Sequence, residues 1–200
     1  MAHKTDVVFR QGVWLNSAEW VIAPLSLTIR LEEGGTSKVP TLDVALSTLK
    51  AVPRESLNTL VVAMYPEIVG QESGGDHTAS NHASNHASGK EAIGTTQVME
   101  YNVSPWSLQA LGKHISISEF RASPELQRQI SLYELYQISA EQMATSGMNT
   151  EMAMRRVASV WYSGNPNRDK DYSPIPNQPD SPSVGDYVDQ VIKRLKEVPP

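Results

Sequence analysis

The chain has 200 residues, of which 17 are basic and 22 acidic, for a formal net charge of −5. Forty per cent of it is hydrophobic and 20% charged, too apolar for general disorder, and a chain of this length can bury roughly 70% of its unfolded surface. The acidic balance argues against a nucleic-acid binder led by phosphate contacts. The absence of cysteine removes disulfide scaffolds, thiol nucleophiles and thiolate metal sites.

No stretch is long and apolar enough to span a membrane. The longest uncharged apolar run near the N-terminus, 21–29, contains Pro24, one serine and one threonine, and falls far short of the roughly 20 residues required. The first fifteen residues lack an apolar signal core and a small-residue cleavage site. The expectation is therefore a chain made in the cytoplasm, with any export by another route. Residues 7–15 and 26–31 are strand-like. In the second run Leu27, Ile29 and Leu31 alternate with Ser26, Thr28 and Arg30, the period of a half-buried strand. A helical piece over 42–51 follows Pro40 and stops before Pro53. Residues 1–52 read as an N-terminal extension, a structural or docking arm, and 53–200 as the main domain.

From Ser56 onward the pattern is helical. Leu57, Leu60, Val61 and Met64 share one face, and Pro66, at a first-turn position, can restart a helix through Ile68 and Val69 to Glu72. Residues 73–90 contain no large apolar side chain and read as a loop. Ser123 followed by Pro124 is an N-cap with proline at the first helical position. It opens a long helix with Leu126, Ile130, Tyr133 and Leu135 near its apolar face. Thr150 can cap the next helix, lined on one side by Ala153, Val157, Val160 and Trp161, with Met152, Arg155, Arg156 and Ser159 opposite, and ended by Gly164. Residues 165–183 carry five prolines and read as irregular. Ser183 caps a last helix, with Asp186 at N3 and Val184, Tyr187, Val188, Val191 and Leu195 facing inward. The fold class is mainly α.

Glu72 ends an apolar helical run before Ser73-Gly74-Gly75. A carboxyl at such a junction, walled by Ile68 and Val69, can have its pKa raised by desolvation and serve as a general acid. Downstream lie Gly94-Thr95-Thr96-Gln97-Val98-Met99 and Trp161-Tyr162-Ser163-Gly164. Glu-Ser-Gly, then Gly-x-x-Gln-Val-Met, then aromatic-aromatic-small-Gly, in that order, resembles the lytic transglycosylase domain, a lysozyme-like fold that cleaves peptidoglycan. Further segments extend the likeness to the variant found in bacteriophage virion proteins: Ala92-Ile93-Gly94, Asn102-Val103-x-Pro105-Trp106, Ala110-Leu111-Gly112, Glu119-Phe120, Ser123-Pro124-x-Leu126-Gln127 and Val160-Trp161-x-x-Gly164-x-Pro166. The likeness covers roughly 57–166. The third motif departs from the usual Tyr-Asn-Ala-Gly: Trp161 stands at the tyrosine and Tyr162 at the asparagine. The loop between Glu72 and Gln97 is also longer than usual.

The resemblance implies cleavage of the β-1,4 bond between N-acetylmuramic acid and N-acetylglucosamine, leaving a 1,6-anhydro end. Glu72 would be the catalytic acid and then base. Ser73 and Gln97 would supply hydrogen bonds near it or to the acetamido groups, and Gly94 and Gly164 would allow close backbone approach. Tyr162 is the choice for a hydroxyl contacting Glu72 or the glycan, because a tryptophan cannot accept a hydrogen bond, and Trp161 shares the face of Ala153 and Val157. No cofactor or metal is implied. The implied partners are the glycan strand and, through residues 1–52, other virion or injection-machine proteins, with delivery to the cell wall inside such an assembly. Two other readings stay open: a muramidase hydrolysing the same bond, for which only Asp76, Glu91 and Glu100 lie between Glu72 and Trp106 as candidate bases, and an inert glycan-binding structural component.

The long loop repeats HTAS-NHAS-NHAS. His82 and His86 stand at i,i+4 and could bind zinc if helical, but Ser, Asn and Gly dominate and no apolar face is present, which favours a solvated or glycan-contacting loop. Trp106 and Tyr101 fit either sugar stacking or the core.

Overall fold

The computed structural model describes residues 15–16, 19–20, 52–81, 90–176, 178 and 181–197. The chain divides into two compact units, Met1–Thr41 and Leu42–Pro200. In the first, β1 (Leu15–Asn16) and β2 (Glu19–Trp20) pair antiparallel, Leu15 opposite Trp20 and Asn16 opposite Glu19. The strand expected over 26–31, most of that over 7–15 and the helical piece over 42–51 lie outside the described residues. Val52, placed by sequence in the extension, belongs to the core of the larger unit.

The larger unit has six helices among the described residues and a small three-stranded antiparallel sheet. Helix α1 runs unbroken over Arg54–Glu72, with Pro66 inside it. The expected restart at Pro66 does not occur. The carbonyl that loses its donor is that of Val62, on the exposed side of the helix, where water can replace the bond. Leu60, Met64 and Ile68 hold the other side in the core, each worth roughly 1.5–3 kcal/mol when buried.

After a turn at 73–75 the chain forms β3 (Ser80–Asn81), β4 (Ala92–Ile93) and β5 (Val98–Met99), paired in that order. The segment read as all loop thus contributes one polar edge strand, Ser80 opposite Ile93. Helix α2 (Glu100–Leu111) ends at Gly112 with φ 71°. Helix α3 (Ile117–Ala122) starts on a capping box in which Ser116 accepts from Glu119 N–H and the Glu119 carboxylate accepts from Ser116 N–H.

Helix α4 (Pro124–Thr145) begins as the sequence indicates, with the Ser123 hydroxyl accepting from Leu126 N–H and proline in the first turn. Helix α5 (Thr150–Ser163) is capped by Asn149, not Thr150. The Asn149 side chain accepts from Met152 N–H at 2.9 Å, and Thr150 is the first helical residue. Gly164 ends α5 at φ 71°, donating to Val160 O. Ser159 is buried rather than on a polar face: its hydroxyl donates to Asn165 O at 2.6 Å, so the polar group is satisfied inside. After a short 3₁₀ turn (Pro166–Arg168), helix α6 (Val184–Glu197) opens on Ser183, whose hydroxyl accepts from Asp186 N–H.

Two apolar clusters result. One gathers α1, α5, α6 and the later half of α4 around Met64, Leu135, Val157 and Val188. The other gathers the sheet, α2, α3 and the start of α4 around Ile93, Val103, Phe120 and Ile130. Helix α4 supplies both, and the pair Trp106–Trp161, with ring centroids 5.8 Å apart, joins a residue packed on each.

Candidate active site

The last three residues of α1 meet about two turns of α6. Gly70 lies against Arg194, where an added Cβ would stand 3.2 Å from Nη1. Gln71 Nε2 donates to Gln190 Oε1 at 2.6 Å. Glu72 Oε1 accepts from the Tyr187 hydroxyl at 2.7 Å. The register follows from helical spacing, since 187, 190 and 194 fall on one stripe. Tyr187 is 2% exposed.

Burial of the carboxyl raises the pKa of Glu72 to about 7, and the Tyr187 hydrogen bond, which favours the ionised form, acts against that rise. Glu72 is therefore poised to hold a proton near neutrality and to give it up. The Tyr162 ring stacks on Tyr187 at 4.2 Å and 8°. Its hydroxyl donates to Pro182 O at 2.9 Å. Burial first, and then the charge of Glu72, push the Tyr162 phenol up to about 12. The contact to Glu72 expected of Tyr162 is thus made by Tyr187, while Tyr162 backs that ring. Tyr187 was legible as inward-facing. A phenol among valines on an apolar face is itself the signal, because its hydroxyl must find a partner.

Ser73 follows Glu72 and joins it to the β4–β5 turn. The Ser73 hydroxyl donates to Thr95 O at 2.7 Å and accepts from Gly75 N–H. Gln97 sits in that turn at φ 50°, its Nε2 donating to Gly94 O at 2.9 Å and Ala79 O at 3.3 Å. The structure therefore brings Ser73, Gly94 and Gln97 together, but their polar groups are engaged with backbone. Gly94 has φ 79°, and a Cβ there would meet Gln127 Oε1 at 2.5 Å. Its close approach is to Gln127. Gly164 acts as the cap of α5, and a Cβ there would meet nothing within 4 Å.

Gln127, fully buried, is the residue whose role sequence missed. Its Oε1 accepts from Thr95 N–H at 3.0 Å, and its Nε2 donates to His77 O and Phe120 O, both at 3.1 Å. One turn further along α4, Ser131 bonds the Thr96 hydroxyl at 2.7 Å. Trp161 Nε1 donates to Thr96 O at 3.3 Å, so the third motif reaches the same turn through Trp161. Glu134 continues the stripe of Gln127 and Ser131. Its pKa is raised to about 7 by burial, and its buried Oε2 has no partner among the described residues.

The acidic residues between Glu72 and Trp106 are engaged elsewhere. Glu91 pairs with Arg121, which also lies 3.6 Å from Glu100. Asp76 is fully exposed, and hydrogen bonds from the Thr78 hydroxyl and N–H hold its pKa below the usual value. Tyr101 is 56% exposed, whereas Trp106 packs partly buried on the second cluster. His82 and His86 lie outside the described residues. No group of three or more potential metal ligands occurs among the described residues, and no described helix is long and apolar enough to cross a membrane. No family model matches the chain, and neither the curated proteins nor the solved structures gave a match.

Proposed function

We propose that this protein is a peptidoglycan lytic transglycosylase with a lysozyme-like domain, cleaving the bond between N-acetylmuramic acid and N-acetylglucosamine. The observation that carries the reading is Glu72: a half-buried carboxyl at a helix end, with a pKa of about 7 and one oxygen held by Tyr187. Protonated Glu72 gives its proton to the leaving glycosidic oxygen as the C1–O bond breaks. The carboxylate then takes the proton of the muramic C6 hydroxyl, whose oxygen closes on C1 to form the anhydro ring. An internal nucleophile gains from proximity, and one residue serves as acid and then base.

Hydrolysis by inversion would need a second carboxylate to activate water. Asp76, Glu91 and Glu100 are poorly suited, the first exposed and the others tied to Arg121, which favours the anhydro product. The glycan strand is the substrate, and delivery within a virion or similar assembly, with residues 1–52 as a docking arm, belongs to the same proposal. Mass spectrometry of digested peptidoglycan tests it. Anhydro-muropeptides released by the wild type and not by Glu72→Gln support it. Reducing ends would make the protein a muramidase, and no release at all would leave the inert glycan-binding reading.

A further inference from the structure

We infer that Glu134 is a pH-operated release for the β4–β5 turn: neutral, it lets α4 and Trp161 hold that turn beside Glu72, and ionised, it loosens their hold. The inference rests on the reading of Glu72 as the acid and adds a regulation of the same site.

Helix α4 passes from the second apolar cluster, which contains Ile130, to the first, which contains Leu132, Leu135 and Ile138. Glu134 lies at that handover. It stands on the stripe of Gln127 and Ser131, whose side chains bind Thr95 N–H and the Thr96 hydroxyl. Helices α4 and α5 pack on one another as a hairpin joined through 146–149. Eleven residues back from Thr145 is Glu134, and eleven on from Thr150 is Trp161, so the two stand at about the same level of the hairpin. Trp161 donates to Thr96 O at 3.3 Å and meets the Trp106 ring. The turn is thus held by Ser131 and Trp161 together, and Ser73, next to Glu72, is bonded to it at Thr95 O.

Gln127 and Ser131 are paired, but the third polar group of the stripe is not. Glu134 is half-buried, and its Oε2 is enclosed with no hydrogen-bond partner among the described residues. A neutral carboxyl tolerates one unmade hydrogen bond, whereas an unpaired carboxylate in the same place costs far more. Ionisation therefore drives the oxygen to water, by wetting the corner or by turning the side chain outward. Both displace what packs at that level. The weakest tether there is Trp161 Nε1–H to Thr96 O, at 3.3 Å longer than the ordinary range of about 2.7–3.2 Å.

The charged groups of the elements packed on α4 are engaged elsewhere. Arg121 of α3 pairs with Glu91 and Glu100, and Glu119 is bonded to Ser116. On α5, Arg155 holds Asp169 and Asp189, Arg156 donates to Thr145 O, and Tyr162 to Pro182 O. On α1, Tyr65 feels Arg128 and Glu125, and Arg54 acts on Tyr136. None of them acts on Glu134, whose raised pKa has burial as its sole cause. On α4 itself its charge reaches Tyr133.

The test follows the indole N–H resonance of Trp161 by ¹H–¹⁵N NMR from pH 5.5 to 8.5, assigned with Trp161→Phe, in the wild type, Glu134→Gln and Glu72→Gln. It shifts with a midpoint near 7 in the wild type and in Glu72→Gln, and loses at least about nine-tenths of that amplitude in Glu134→Gln. A wild-type resonance that does not titrate, or one that titrates equally in Glu134→Gln, overturns the inference. So does a titration abolished by Glu72→Gln. Should glutamine at 134 disturb the fold, Glu134→Leu takes its place with the same outcomes. On peptidoglycan at pH 6, kcat/KM of Glu134→Gln stays within about twofold of the wild type. Above pH 7.5 it falls about tenfold per pH unit in Glu134→Gln, where Glu72 alone titrates, and more steeply in the wild type. Equal slopes overturn the regulation. The NMR measurement needs no substrate. An indole titration governed by Glu134 in a protein that cuts no peptidoglycan would sink the enzymatic reading and leave the release of the turn intact.

Discussion

Gln127 lies so close to Gly94 that a methyl on the glycine would stand 2.5 Å from Oε1 and 2.6 Å from Cδ of its amide. The amide is anchored at once to Thr95, His77 and Phe120, so it cannot retreat without losing buried hydrogen bonds. Gly94→Ala is therefore expected to destabilise the protein by about 2–4 kcal/mol, combining the strain of a left-handed alanine with at least one broken buried hydrogen bond. Urea unfolding measures it. A loss under 1 kcal/mol would mean that the turn and Gln127 can separate freely.

Replacement of Glu72 by glutamine should leave the fold intact and reduce activity by ~10²–10⁴-fold, the range for a proton-transfer group. On the proposed mechanism the acid must be protonated, so wild-type activity should fall as pH rises through about 7. Rates on peptidoglycan from pH 5 to 9 check both statements. Activity that climbs through pH 7 would assign Glu72 a different role.

Glu134 makes an independent demand. Its folded pKa of about 7 lies above the ordinary 4.5, so its contribution to stability is full below about pH 4.5 and is lost as pH rises through 7. At about 1.4 kcal/mol per pH unit between those values, the ionised form costs on the order of a few kcal/mol. Glu134→Gln should thus gain stability over the wild type at pH 8 and lose that advantage at pH 5, read from denaturant midpoints at both. Equal advantage at both values would remove the titration argument.

Trp161→Ala should cost about 3 kcal/mol, the low end for emptying a large aromatic site, because the indole is only partly buried. It also releases Thr96 O and Trp106. Thermal unfolding is the measurement, and an unchanged midpoint would show that Trp161 does not tie the clusters together.

The elements that sequence made legible are those signalled by side chains at fixed short spacing: Ser123 with Pro124, Gly164 after α5, and Ser183 with Asp186. Each solves a local problem of helix ends, and the solution is written within four residues. Pro66 misled because a proline's local cost was outweighed by the core contacts of Met64 and Ile68 on either side. Asn149 and Thr150 are both good caps, and only the observed turn separates them. Ser80–Asn81 has no apolar pattern and is a strand only because Ala92–Ile93 offers it a ladder. In the site, the carboxyl of Glu72 was legible from its junction with Ser73. Its partner was not, because period 3.6 tells which face of α6 is inward and not which group that face will meet. Gln127 and Glu134 carried a faint signal, as polar residues on a helix whose neighbours Ile130, Leu135 and Ile138 are apolar.

The hydrogen bond between Glu72 and Tyr187 closes a stretch of 115 residues. On a ribosome adding about 5–20 residues per second, the carboxyl emerges on the order of ten seconds before the hydroxyl that will hold it. Contacts of such long separation also carry the larger closure entropy, so this one should form late in refolding as well. Until α6 docks, Gln71 and Glu72 face solvent at a loose helix end, and the carboxyl should titrate near its ordinary value. Maturation of the site is thereby tied to arrival of a distant helix, and a nascent chain interrupted before Val184 would carry Glu72 in water, unpaired and without the raised proton affinity of the finished fold.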